Sequence, residues 1–167
     1  CLPFVGMAIL CSCLNASGKS AFIPSGIGKG LAPGKTLEHV DAPELRIRPE
    51  LEIFCRFRLN ELKEGTMNLV SKDGEYILRV DGGKEGGNLS FFIKIEGRWE
   101  SRLHGPVVKA DTWYDVHAIW SGQVMTMNVN GETFTQARHG RIMPGEKPLK
   151  IGPVAGLIEK VEIRNPG

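Results

Sequence analysis

The sequence predicts an all-β fold, an antiparallel two-sheet sandwich of the jelly-roll kind. Three observations predict it. Short runs of alternating apolar and polar residues recur along most of the chain, turn signals built from Gly, Asn and Asp separate them, and no segment of that part repeats apolar residues at helical spacing. About ten such runs are too many for one flat antiparallel sheet and fit two packed ones.

The first residues stand apart. Residues 2–14, LPFVGMAILCSCL, carry no charge. The run is short for a bilayer span and suits the core of a secretory signal, so residues 1–24 are read as a signal region and the protein as exported to the cell envelope or beyond. Ala16, Gly18 and Ser20 offer small residues for cleavage. Leu10-Cys11-Ser12-Cys13 loosely resembles a bacterial lipobox, which would acylate Cys13 and give the protein a lipid anchor. The plainer alternative is a buried N-terminal strand or helix, which Pro3 and Gly6 would interrupt. Residues 25–36, SGIGKGLAPGKT, have linker composition, and the folded domain is expected to occupy residues 37–167.

Within that domain, Leu51, Ile53, Cys55, Phe57 and Leu59 alternate with Glu52, Phe54, Arg56 and Arg58, giving one apolar and one mixed face. Cys55 therefore reads as a small core residue. Residues 67–72 and 75–80 flank Asp73-Gly74, a dipeptide that tolerates the positive φ of a tight hairpin, and Tyr76, Leu78 and Val80 share the inner face. After the glycine-rich loop 81–87, residues 89–95 form the next strand, and Glu96-Gly97 turns the chain into a strand expected over residues 98–103. Residues 113–120, 124–129 and 132–137 follow, with Ser121-Gly122 and Asn130-Gly131 as turns; residues 149–151 and 157–163 close the series.

The chain has 167 residues, 41% hydrophobic and 24% charged, which suits one domain with one core. Its net charge is +2 with both signs interspersed, so the broad basic face needed for nucleic acid is not expected. Cys1, Cys11 and Cys13 lie in the first stretch and leave Cys55 alone, so packing rather than a disulfide framework must hold the domain.

Four segments then form a recognisable series: Asp111-Thr-Trp-Tyr-Asp-Val-His-Ala-Ile-Trp-Ser-Gly122, Met127-Asn-Val-Asn-Gly-Glu132, Leu149-Lys-Ile-Gly152 and Gly156-Leu-Ile-Glu-Lys-Val-Glu-Ile-Arg-Asn165. Their order resembles the laminin G-like branch of the concanavalin A-like lectin and glucanase superfamily, over residues 43–165. The resemblance implies a jelly roll with function on a sheet face or rim loops, and many relatives bind glycans or proteins. It also matches Trp113 to the family's core tryptophan, which makes burial its expected role. Laminin G-like relatives often hold calcium at a loop rim, and Asp41, Asp73, Asp81 and Asp111 all occupy turns; the sequence does not choose among them.

Several motifs reduce to plainer readings. Gly34-Lys35-Thr36 resembles the end of a phosphate loop, but the position five residues before Gly34 is Lys29 and no helix can follow through Pro43. Glu38, Asp41 and Glu44 come nearest to the Glu-x-Asp-x-x-Glu pattern of retaining glucanases, with the first gap one residue too long and Pro43 inside the run. His39, His104, His117 and His139 lack the short spacing of a zinc site, and no Gly-x-Ser-x-Gly elbow occurs. Asn15-Ala16-Ser17 and Asn88-Leu89-Ser90 fit the glycosylation sequon.

The candidate ligand-binding residues are Arg98, Trp99, Arg102 and His104, where an aromatic ring, two guanidiniums and an imidazole fall in a short span suited to stacking on a sugar and hydrogen bonding its hydroxyls. Core packing competes for Trp99, since Ser101 and Leu103 share its face. The leading expectation is a noncatalytic binding or adhesion module for a glycan or for another envelope or extracellular protein. The alternative is a divergent glycoside hydrolase or polysaccharide lyase of the same fold, which would need two carboxylates facing each other across a cleft.

Overall fold

Alternation becomes burial in strand β3 (Leu51–Leu59), whose odd-numbered residues are buried while Glu52, Phe54, Arg56 and Arg58 stay half-exposed. The same period-two logic organises the rest of the chain. The computed structural model describes residues 19–23, 31–47 and 49–166. They form β1 (Lys19–Ile23), β2 (Leu37–His39), β3, β4 (Met67–Lys72), β5 (Tyr76–Val80), β6 (Asn88–Ile93), β7 (Leu103–Val107), β8 (Trp113–Trp120), β9 (Val124–Val129), β10 (Glu132–Ala137), β11 (Leu149–Ile151) and β12 (Gly156–Asn165).

Two antiparallel sheets result. The first runs β1-β12-β3-β8-β9-β10 and the second β2-β11-β4-β5-β6-β7, so β4 to β7 lie side by side in chain order and the chain then crosses to the first sheet. The all-β sandwich expected from the alternation is the fold observed. Inward residues of both sheets make one core: Ile53, Phe57, Val116, Ala118 and Ile163 from the first meet Leu69, Leu78, Leu89, Phe91 and Ile93 from the second. Cys55 is buried in it, and burial pushes its thiol up to about 12. The hairpin dipeptides behave as their chemistry requires, with Asn130 and Gly131 at φ of 50° and 91°, both on the positive side that a two-residue turn needs.

Three expectations are corrected. Trp113 is not in the core: on β8 the inward phase is Tyr114, Val116, Ala118 and Trp120, which puts Trp113 on the outer face with Asp115 and His117. There its ring lies under Arg56 and Arg58, at 4.9 and 5.6 Å from the guanidinium carbons, and Trp120 is the buried tryptophan. The strand expected over residues 98–103 begins only at Leu103 and runs to Val107, because the turn after Ile95 is followed by an irregular connection held by one bridge, Ile95 to Arg98. At the other end of the chain, sheet pairing starts before Leu37. Lys19–Ile23 pair with β12, and Leu31, within the linker-like stretch, bridges Ile158 and packs on the core. The lipobox and Asn15 readings and the cleavage positions Ala16 and Gly18 fall on residues 1–18, outside the described residues, whereas Ser20 lies in β1.

One polar group is built into the interior. Lys72 and Glu75 flank the Asp73-Gly74 turn, have no exposed side-chain surface, and pair at 2.5 Å. Lys72 Nζ also meets Asp41 at 2.9 Å and donates to the Gly145 carbonyl at 3.0 Å, while Glu75 accepts the amides of Ile47 and Gly145. Arg46 closes the group by pairing with Asp41. Buried charge is tolerated only when it is paired in this way. It fastens the segment before β3 and the loop before β11 to the β4–β5 hairpin.

Candidate functional site

The second sheet turns its other face to solvent, and its register sets a polar row there. Asn68 on β4 faces Arg79 on β5, Arg79 faces Ser90 on β6, and Ser90 faces His104 on β7. The row exists because the residues between these positions, Leu78, Leu89, Phe91 and Leu103, are taken by the core.

Beside the row, Phe92 also points outward, yet it is buried. Two guanidiniums cover it: Arg79 at 4.6 Å and Arg102 at 5.0 Å from its ring centroid. Both arginines are fixed by carboxylates from the β5–β6 connection. Arg79 Nε and Arg102 Nη1 donate to one oxygen of Asp81 at 2.7 and 3.2 Å, and both reach one oxygen of Glu85 at 2.9 Å. The second Asp81 oxygen accepts the Ser90 hydroxyl at 2.6 Å and lies 4.0 Å from His104 Nδ1. Glu100 holds Arg102 from the other side at 3.0 Å. Asp81 has no exposed side-chain surface, whereas Glu85 and His104 are 43% and 55% exposed. A shared lattice of donors and acceptors is thus laid over an aromatic base.

Of the four residues proposed from sequence, Arg102 and His104 enter this lattice. Trp99 lies at its edge, half-buried and outside the core cluster, with Lys94 Nζ 5.4 Å from its ring centroid. Arg98 is exposed in the β6–β7 connection, where its main chain bonds Ile95 and Arg138. Arg79, Glu85 and Ser90 were missed as site residues and Asp81 was named only as a possible calcium ligand, although the signal was present: pairing β5 with β6 across the 81–87 loop brings Arg79 opposite Ser90.

The other candidate chemistry does not assemble. Of the four aspartates offered as alternative calcium positions, Asp41 and Asp81 are each bound by two cationic side chains, Asp73 lies at the β4–β5 turn and Asp111 in the turn before β8. Among the described residues no three His, Cys, Asp or Glu side chains group as metal ligands. Glu38 pairs with Lys150 on the outer surface and Asp41 with Arg46, so the glucanase-like trio is not one facing set. Gly34-Lys35-Thr36 leads into β2 rather than a helix. The Asn88 amide nitrogen donates to the Gly105 carbonyl at 2.9 Å, so modification at that sequon would break a strand-to-strand contact.

A family model described as the concanavalin A-like lectin/glucanases superfamily matches residues 53–157, more than half of the chain. The chain belongs to this superfamily. Solved structures of similar fold include the homodimeric agglutinin CG-16 from chicken liver, at 12% identity and TM-score 0.51, covering 77% of this chain and 99% of that one. A heptameric SAP-like pentraxin from Limulus polyphemus matches at 18% identity and TM-score 0.52, covering 88% and 73%. A family 18 polysaccharide lyase matches at 9% identity and TM-score 0.51, covering 91% and 86%. At these identities the likeness is one of fold. No curated protein sequence matches the chain.

Proposed function

We propose that this member of the concanavalin A-like superfamily is a noncatalytic, exported glycan-binding module whose binding surface is the outer face of β4 to β7. The observation that carries the reading is the shared hold of Asp81 and Glu85 on Arg79 and Arg102 above Phe92. Sugar hydroxyls both donate and accept, and a surface of fixed guanidinium donors beside carboxylate and imidazole acceptors meets them at low ordering cost. Trp99 adds an aromatic edge at one end of the face, the component that suits the apolar side of a sugar ring. The agglutinin and lyase among the structural neighbours are consistent with saccharide recognition on this fold.

The same contacts speak against hydrolysis. A glycosidase needs one carboxyl group free to give a proton and another free to attack or to activate water. On this face Asp81 is wholly buried under two arginines and Ser90, and Glu85 is bridged between the same arginines. A glycan array probed with the purified protein, with calcium and with chelator, tests the reading. Selective, calcium-independent binding without bond cleavage supports it; absence of binding to any glycan, or release of reducing ends, overturns it. Export is tested by cell fractionation, where intact protein confined to the cytoplasm would contradict it.

A further inference from the structure

Beyond Trp99, cations outnumber carboxylates. The β6–β7 connection supplies Lys94 and Arg98, and the segment following β10 supplies Arg138, His139 and Arg141. Main-chain contacts stitch the two segments together. Arg138 Nη2 donates to the carbonyls of Arg98 at 2.7 Å and Ile93 at 3.5 Å, and the Glu96 amide donates to the Arg141 carbonyl at 3.1 Å. Gly140 sits so close to Ile95 that an added Cβ would come within 2.2 Å of its methyl group. Across residues 94–99 and 138–142 there are four Lys or Arg and one acid, Glu96. Among the described residues none of the four cations takes part in an ion pair, and Nε of Arg138 is buried without a hydrogen-bond partner. Arg79 and Arg102, by contrast, each hold two or more carboxylates.

The face is therefore electrostatically divided. In its β5–β7 part Arg79 and Arg102 are fully matched by Asp81, Glu85 and Glu100, while its Trp99 end carries an excess of positive charge in a chain whose whole net charge is only +2. Trp99 joins the two parts, since Lys94 stacks on it and its sequence neighbour Glu100 holds Arg102. Resting on the glycan reading above, we infer that the Lys94, Arg98 and Arg141 end takes an anionic sugar unit, one bearing a carboxylate or a sulfate, of a glycan whose neighbouring unit lies on the β4 to β7 face. An anion at this end gains Coulomb attraction and charge-assisted hydrogen bonds that a neutral sugar lacks.

The test is calorimetric titration of the full protein with three hexasaccharides of equal length, one polyuronate, one sulfated and one neutral, and with a short single-stranded oligonucleotide. An anionic hexamer should bind at least about tenfold more tightly than the neutral one, with the difference shrinking as salt is raised. The carboxylated and sulfated arms report which anion is preferred. Arg98→Gln with Arg141→Gln should abolish the preference between anionic and neutral hexamers, and Arg98→Lys with Arg141→Lys should keep most of it. These positions donate no side-chain hydrogen bonds within the described fold, and a thermal melt checks that both variants remain folded. Equal affinity for anionic and neutral hexamers, or a preference that survives the Gln variant, overturns the inference and leaves the glycan reading standing. Oligonucleotide binding as tight as that of the anionic hexamer overturns it as generic polyanion attraction. Failure of every saccharide to bind overturns both readings.

Discussion

Arg79 and Arg102, on neighbouring positions of the outer face, grip the same oxygen of Asp81 and the same oxygen of Glu85 while lying against one phenylalanine ring. Neither guanidinium can move without disturbing the other's partners. Such coupling keeps the donors of the face in place before a ligand arrives, which is the condition under which polar contacts yield net affinity.

Arg102→Ala tests this coupling. It removes a donor from the face, frees Glu100 and uncovers Phe92, so glycan affinity should fall by about 1.5–3 kcal/mol, the range for hydrogen bonds to charged groups. Titration calorimetry measures the loss. Unfolding free energy should change by less than binding does, because the arginine lies outside the core.

The two tryptophans of β8 should separate cleanly. Trp120→Ala deletes a buried core ring and should cost about 3–5 kcal/mol in denaturant melts. Trp113→Ala removes a half-exposed ring that packs beneath Arg56 and Arg58, and should cost roughly 1 kcal/mol, in the range of an exposed cation–π contact with some lost area. Reversed magnitudes would mean that the β8 phase is wrong.

That phase was legible in the sequence. Asp115 and His117 share Trp113's side of the strand, while Val116 and Ala118 share Trp120's, so alternation alone assigns the inner face; the family likeness pointed to the other tryptophan. Strands β3, β4, β8, β9 and β10 were readable because alternation, turn dipeptides and β-branched residues agree there. The strand at Lys19–Ile23 was not, since an edge strand is defined by what it pairs with, here β12. The candidate site divides the same way. Arg102 and His104 were visible because they are close in sequence, whereas Arg79, Asp81 and Ser90 join them only through strand register, a non-local property.

The buried Lys72 and Glu75 pair predicts an acid-sensitive fold through Asp41. The Arg46 guanidinium hydrogen-bonded to Asp41, with Lys72 behind it, lowers the Asp41 carboxyl from 3.8 to about 2. A depressed folded value means stability that is present above the unfolded value and lost as pH falls through the folded one. Melts should therefore show this contribution fading between about pH 4 and pH 2, and Asp41→Asn should flatten that limb while lowering stability at neutral pH. Lys72→Met, which strands Glu75 in the interior, should cost about 3–5 kcal/mol at neutral pH.

Cys55 should be chemically silent. Burial holds its thiol well above the ordinary range, and the thiolate is the reactive form. Iodoacetamide at mild alkaline pH should label it only after denaturation; rapid labelling of the folded protein would place β3 in the wrong register.

Whether a glycan lies across the outer face of β4 to β7 is read most directly by a backbone amide NMR titration with a glycan selected on the array. Shift changes should concentrate at Asn68, Arg79, Ser90, Arg102 and His104 and extend to Trp99. Changes centred instead on Arg56, Trp113 and His117, on the outer face of the other sheet, would contradict it.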